Sequence, residues 1–322
     1  MHLLFIGPTR IGDAVLSSGV LAWMLLRWPN ARLTVAAGPA AAPFYAEVPG
    51  LDDLHVLEKQ PLGGHWRRLW WKTVGRYWTA IADTRRSGVT WLVPARRRYV
   101  MGYPRSGMHK VVQASAMVGA APPLEPRVWL AARQRQAAQE LIPAGGPVLA
   151  LAPTANWGGK QWPADCFIAL AERLTAAGGP LAGARVAVFA RPGEREAALP
   201  VLDAVPAARR IDLAGKLDLL VAAACLGRAN LFVGNDSGLM HLAAAMGVPT
   251  LGLFGPSREQ HYGPWGPRAL AVRTELSYDE ILAQPSYDYT RHDSHMGTLA
   301  VDKVLAAALR LIARSPARAG SA

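Results

Sequence analysis

Residues 230–257, NLFVGNDSGLMHLAAAMGVPTLGLFGPS, constrain this chain more than any other stretch. A short apolar run at 231–233 meets a dense cluster of turn and cap residues at 234–238. Residues 239–246 are helix formers, Gly247 closes the helix, and Pro249 bars its continuation. Residues 250–254 are a second apolar run, ended by Gly255 and Pro256. Two buried parallel strands joined by a short helix make a βαβ unit, and such units bind ligands beyond the C-terminal ends of their strands. Asp236, Ser237 and His241 fall at that end, where a helix N-terminus attracts anions. Singly, Asp236 and Ser237 read as helix caps and His241 as a hydrogen-bonded core residue. Together, flanked by Gly234 and Gly238, they predict a pocket for an anion and a ribose.

The same alternation runs through the chain. Residues 3–6 form a strand and 7–13 a glycine-punctuated turn; a helix follows, with Leu21, Met24, Leu25 and Trp28 on one face. Pro29 and Asn30 end it, and 33–36 is the next strand, a second βαβ unit. Further strands are expected at 54–57, 78–82 and 99–102. Residues 122–126 and 143–147 are rich in proline and glycine, and the second of these marks the domain boundary. Alternation restarts at 148–151, with helix 164–176, strand 186–190, helix 194–202, strand 210–213 and helix 217–227. A strand near 270–272, an irregular polar segment, a helix at 299–313 and a small-residue tail from Ser315 complete the chain. The prediction is an α/β protein with two doubly wound, Rossmann-like domains facing a cleft, at 1–145 and 146–298. Residues 299–322 hold the last helix and its frayed tail.

The start resembles a signal peptide in charge and apolarity. However, 3–7 already reads as a strand, Asp13 interrupts the approach, and no small-residue cleavage site follows. No apolar run is long enough to span a bilayer. Cys166 and Cys225 lie far apart in apolar contexts and read as reduced core residues of a cytoplasmic protein.

A formal net charge of +12 points to phosphorylated, nucleic-acid or anionic-membrane partners, or simply to a solubilising basic surface. The charge has a focus at 65–77, where Trp66, Trp70 and Trp71 interleave with Arg67, Arg68, Lys72 and Arg76, with Trp78 following. Three readings stand: a helix burying its tryptophans in its own domain, an amphipathic helix on an anionic membrane, and a base-stacking, phosphate-binding surface. Arg85, Arg86, Arg96, Arg97, Arg98, Arg105 and Lys110 extend the bias. They read as a solvated face or, because they flank strand ends, as a site for an acceptor's phosphates.

Two more places carry chemistry. APTANWGGKQWP at 152–163 follows the first strand of the second domain. Thr154 offers a hydroxyl, Gly158 and Gly159 let the backbone approach a ligand, and Lys160 places a point charge where a phosphate would sit. No GxxxxGK[ST] loop and no GxGxxG turn occurs, which disfavours P-loop and dehydrogenase readings. Asp13 starts the first helix. There a carboxylate is either favoured by the helix dipole or set to take a proton from a substrate hydroxyl, with Arg10 nearby to steer a phosphate or hold the carboxylate. His292 and His295 lack a ligand cluster, Asp52 and Asp53 are merely adjacent, and no nucleophile elbow or catalytic cysteine is present.

These blocks resemble a known family. GNDSGLMHLAAAMGVPTLGLFGPS is similar to the hallmark stretch of family 9 glycosyltransferases, the ADP-heptose:lipopolysaccharide heptosyltransferases. FIGPTRIGDAVLSSGVLAWMLLRWPNARLTV resembles that family's opening, and LAPTANWGGKQWPADCFIALAERL its third block, in the same order and with similar spacing. The resemblance implies a GT-B fold whose final helix packs back on the first domain. It also implies inverting, metal-independent transfer of a sugar, with no cofactor, from a nucleotide sugar such as ADP-heptose to a phosphorylated glycolipid of the lipopolysaccharide core. By the same resemblance Asp13 is the base, and Thr154, Lys160, Asp236, Ser237, Gly238 and His241 bind the donor. Glu196 lies near the ribose, and Lys216 and Leu217 line the adenine. Arg10, Arg85 and Arg86 are the candidates for the acceptor. Work at the cytoplasmic face of the membrane, with peripheral contact, would follow; nucleic acid is the least favoured partner. The Trp/Arg segment lies outside the resemblance. The alternatives are a related transferase using another nucleotide sugar and a non-catalytic nucleotide or nucleic-acid binder.

Overall fold

Short apolar runs separated by helices leave each strand covered on both faces, and such strands pair in parallel. The computed structural model describes residues 1–103, 106–285 and 287–314; Arg105 and the tail from Ser315 lie outside the described residues. The chain divides into two units, 1–131 and 132–322.

In the first unit, β1 (His2–Ile6), β2 (Arg32–Ala37), β3 (Leu51–Val56), β4 (Ala80–Asp83) and β5 (Arg98–Val100) form one parallel sheet ordered β3-β2-β1-β4-β5. The opening of the chain is thus a central strand, with Leu3 to Ile6 fully buried. The helices are α1 (Ile11–Arg27), α2 (Gly64–Thr73), α3 (Val89–Leu92) and α4 (Lys110–Ala116). α1 buries Val15, Leu16, Val20, Leu21 and Met24 and packs on α4. The Trp/Arg segment is α2. Its Leu69 is buried in a cluster with Trp78, Ile81 and Val89, and Trp66 and Trp70 pack against that cluster. Burial in the domain therefore accounts for three of the four tryptophans. Trp71 stays 72% exposed.

In the second unit the strands are β6 (Val148–Ala152), β7 (Arg185–Ala190), β8 (Arg210–Ala214), β9 (Leu231–Asn235), β10 (Thr250–Phe254) and β11 (Ala269–Arg273). They form a parallel sheet ordered β11-β10-β9-β6-β7-β8. Counted from β6, this is the Rossmann order 3-2-1-4-5-6. The helices are α5 (Ala132–Leu141), α6 (Ala164–Thr175), α7 (Arg195–Ala204), α8 (Leu219–Leu226), α9 (Gly238–Ala245), α10 (Glu259–Tyr262), α11 (Tyr278–Leu282) and α12 (Val301–Arg314).

Two expectations shift. The division lies ahead of 145 because α5 packs on α8 and the Ile142 carbonyl accepts from the Arg228 guanidinium at 2.6 Å. The proline-glycine stretch at 143–147 is therefore a helix-to-strand turn inside the second unit rather than a linker. The final helix, expected to pack on the first domain, contributes Val304, Ala307, Ala308 and Leu311 to the second unit's core, against α6, β10 and β11. Its apolar stripe at helical spacing matches that surface. Cys166 and Cys225 are both free thiols.

Candidate active site

In an open α/β sheet, the crevice forms where neighbouring strands send their connections to opposite sides. In the second unit that point lies between β6 and β9. Asn235 ends β9 fully buried and ties the two turns together. Its Oδ1 accepts from the Trp162 N–H at 3.0 Å, and its Nδ2 donates to the Pro153 carbonyl at 2.8 Å. The loop after β6 is thereby held against the start of α9. Lys160, on the short 3₁₀ turn Gly158–Lys160, donates to Asp236 Oδ2 at 2.5 Å. Asp236 is buried, and His241 Nε2 lies 3.9 Å from its other oxygen.

Helix capping does not explain these residues. Ser237 takes the N-cap position of α9 in extended conformation but makes no side-chain capping bond. Its Oγ is buried with no hydrogen-bond partner among the described residues. The opening N–H groups of α9, beginning with Gly238, have no intrahelical carbonyl to reach. A cation, an orphaned hydroxyl and a helix N-terminus thus surround one spot, a setting for an anion.

The Lys160 turn is clamped from outside. A Cβ on Gly158 would meet the His292 carbonyl oxygen at 2.2 Å, so only glycine fits there. Trp157 Nε1 donates to the Arg291 carbonyl at 2.7 Å, the His295 N–H to the Gly159 carbonyl at 3.0 Å, and Ser294 Oγ to the Gln161 carbonyl at 2.5 Å. Residues 291–295 form this strap, and they include His292 and His295, weighed above as metal ligands. Among the described residues no three His, Cys, Asp or Glu side chains gather to hold a metal ion.

Moving outward from β6, Glu194 stands on the turn after β7 and Asp212 within β8. Thr154 Oγ1 donates to Glu194 Oε2 at 2.9 Å, and Arg191 Nε donates to Glu194 Oε1 at 3.1 Å. Glu196, expected at this place, is exposed in the first turn of α7. The nearby carboxylate is Glu194, which the sequence reading passed over. It directly follows Gly193 on the β7–α7 turn, and that position is the signal that could have singled it out. Arg195 binds Asp212 through both terminal nitrogens at 2.8 Å, and Lys216 donates to it at 2.6 Å. The Arg195 bonds first, then those from Lys216 and the Ala214 N–H, hold the Asp212 carboxyl well below the usual carboxylate range. Leu217 is half-buried in the turn that follows, after Gly215 with its left-handed φ of 72°.

The first unit has its own switch point, between β1 and β4. Asp13 sits in the first turn of α1, and Arg10, at its N-cap, is exposed. The Asp13 carbonyl accepts from Ser17 Oγ at 2.8 Å. Beneath lies the fully buried Tyr45, whose phenol is pushed upward by burial and then by the Asp13 charge. At the end of β4, Asp83 is fully buried and organises the turn that follows. It accepts from the N–H groups of Arg85 and Ser87 and from the Ser87 hydroxyl, each at 2.7 Å, and from Thr90 Oγ1 at 2.6 Å. That turn presents two of the three predicted acceptor residues, Arg85 and Arg86. Arg85 stacks 4.5 Å from the Trp66 ring centroid, and burial lowers its pKa against the opposing pull of Asp83. Arg86, at φ 57°, stacks 4.0 Å from the Tyr103 centroid. Asp83 escaped the sequence reading, although a lone carboxylate closing an apolar strand before Ser87 and Thr90 marks such a turn.

Two parallel sheets, each with its polar groups at a switch point, are the build of a GT-B type glycosyltransferase. The glycosyl transferase family 9 structure from Veillonella parvula shares this fold, with a TM-score of 0.77 at 21% identity over 98% of both chains. So does the Escherichia coli ADP-heptose lps heptosyltransferase II, with a TM-score of 0.74 at 21% identity over 98% of this chain and 100% of that one. In sequence, the chain is 24% identical to lipooligosaccharide heptosyltransferase 2 of Haemophilus influenzae, over 85% of its own length and 88% of that protein. The family model for glycosyltransferase family 9 (heptosyltransferase) matches residues 104–287, more than half of the chain. The chain belongs to this family, and it is a glycosyltransferase.

Proposed function

We propose that this enzyme transfers heptose, with inversion, from ADP-heptose to a glycan acceptor of the lipopolysaccharide core. The observation that carries the reading is the placement of Lys160 and the α9 N-terminus on either side of the β6/β9 switch point. They suit a diphosphate, and the row of strand ends beside them suits the remainder of a nucleotide. From β9 through β6 and β7 to β8 are three strand spacings, about 14 Å. Along this row stand Ser237 and Lys160 for the phosphates, Thr154 and Glu194 for the ribose, and Leu217 with the Asp212 group for the base. Heptosyltransferases are among the proteins that resemble this chain in sequence and fold over most of its length, which supports the reading.

In the reaction, Asp13 takes the proton of the acceptor hydroxyl as its oxygen attacks the anomeric carbon. The bond from that carbon to the β-phosphate oxygen breaks, and ADP leaves with the electron pair. Lys160 and the N–H groups at Ser237 and Gly238 stabilise the charge that develops there. His241 and Asp236 keep Lys160 placed. Arg10, Arg85 and Arg86 receive acidic groups of the acceptor, and a glycolipid acceptor would place the work at the cytoplasmic face of the membrane.

A thermal-shift screen of ADP, UDP and GDP, followed by turnover with ADP-heptose, tests the reading. Selective stabilisation by ADP and transfer from ADP-heptose are expected. A UDP or GDP preference would replace it with the related transferase that uses another nucleotide sugar.

A further inference from the structure

Residues 59–103 hold ten Lys or Arg and a single acid, Asp83, which is fully buried within its turn. The segment is therefore strongly net cationic, although Arg76 pairs with Asp52 and Asp53 of β3 at 3.8 Å. It also exposes apolar side chains that a soluble face has no reason to carry. On α2 the buried side is Leu69 and Thr73, which turns Arg67, Arg68, Trp71 and Lys72 to solvent. Trp70, packed beneath, touches the Trp71 ring at a centroid distance of 4.9 Å, and its Nε1 donates to the Leu92 carbonyl at 3.1 Å. These contacts set α3 beside α2. Trp91 and Leu92 of α3 are 67% and 65% exposed, and Leu62, just ahead of α2, is 95% exposed in a left-handed turn with φ 50°. Arg98 anchors the α3 side. It donates to the carbonyls of Thr90, Val93 and Ala95, so the exposed apolar residues stand on a braced platform.

We propose that this α2–α3 face is a docking surface for an anionic phospholipid bilayer, with Trp71, Trp91, Leu92 and Leu62 entering the headgroup region and Arg67, Arg68 and Lys72 meeting lipid phosphates. Tryptophan is suited to the interface because its indole is apolar in body and polar at one edge, and arginine and lysine extend their charges while their stems stay in apolar surroundings. Charge complementarity selects an anionic leaflet. Exposed leucines separate this surface from one made for nucleic acid, where stacking rings and cations suffice. No helix among the described residues is long and apolar enough to cross a membrane, so the contact is peripheral. The inference deepens the glycolipid-acceptor reading, and it is tested without donor or acceptor so that either can fail alone.

The experiment is co-sedimentation of the full chain with vesicles of phosphatidylcholine alone and of equal parts phosphatidylcholine and phosphatidylglycerol, across a salt series. Binding is expected to the mixed vesicles and not to the neutral ones, weakening as salt rises. Trp71→Ser combined with Leu92→Ser should lower binding about tenfold or more at every salt concentration. Arg67→Gln with Arg68→Gln and Lys72→Gln should lower it at low salt and flatten the salt dependence. Unchanged melting temperatures and ADP-induced shifts identify folded variants. Failure of the wild type to sediment with the mixed vesicles would overturn the proposal. So would vesicle binding that both variants retain, or a shift of the chain to a dimer through this face. Stronger binding to a single-stranded oligonucleotide, lost in the Trp71→Ser, Leu92→Ser variant, would assign the surface to nucleic acid instead.

Discussion

Lys160 Nζ lies 2.5 Å from Asp236 Oδ2, although 76 residues separate them in the chain. The pair joins the turns after β6 and β9 and fixes a cation beside the α9 N-terminus. Removing the cation should weaken ADP binding by about 1.5–3 kcal/mol, roughly ten- to a hundredfold. Titration calorimetry of Lys160→Ala measures this. In a double-mutant cycle with Asp236→Ala the two effects should couple by about 0.5–3 kcal/mol, because Asp236 acts by holding Lys160. Strict additivity would show that Asp236 works independently.

Ser237 makes an unusual prediction for a buried hydroxyl. Its Oγ has no hydrogen-bond partner among the described residues. Ser237→Ala should therefore leave the melting temperature unchanged or slightly higher, while ADP affinity falls by about 0.5–1.5 kcal/mol. A drop in stability with intact ADP binding would make Ser237 a structural residue.

Asp13 belongs to the first unit and the donor groups to the second. Asp13→Ala should accordingly leave ADP affinity unchanged while kcat falls about 10²- to 10⁴-fold. Rates measured at saturating donor separate the two effects, and retained turnover would remove Asp13 from the role of base.

Gly158 tests the strap over the Lys160 turn. Alanine there places a methyl group against the His292 carbonyl, so the turn or residues 291–295 must move. A loss of about 1–3 kcal/mol in stability is expected, together with a raised KM for the donor. An unaltered variant would mean that the strap yields without disturbing Lys160.

Asp212 gives a pH dependence of known sign. Arg195 and Lys216 favour its ionised form, so its folded pKa lies below that of the unfolded chain. Its stabilising contribution is full above about pH 4 and is lost as the pH falls further. The gap in unfolding free energy between wild type and Asp212→Asn, followed by denaturant titration, should stay constant above about pH 5 and narrow as the pH falls below about pH 4. A constant gap would assign the effect of the substitution to packing.

Alternation of apolar runs with helical stretches determined the strands of both units and the helices α1, α6, α7, α8, α9 and α12, whereas α3, α4, α5, α10 and α11 were not read from it. The strand–turn–helix–strand order at 230–257 also determined where Asp236, Ser237 and Gly238 lie, because a βα turn always brings its residues to the C-terminal end of the sheet. The tertiary structure alone decided who touches whom across turns. Spacing along the chain does not show that β6 and β9 become neighbours, so the Lys160–Asp236 pair and the Asn235 ties were not legible. Nor was the Thr154–Glu194 contact, since Glu194 stands at the N-cap of α7 on the turn whereas Glu196, two residues on, faces solvent in the first helical turn. The same holds for the last helix, whose stripe announced an apolar partner without naming it. Local periodicity is written in neighbouring residues, whereas partners are chosen by strand order, and strand order is settled only when the sheet assembles.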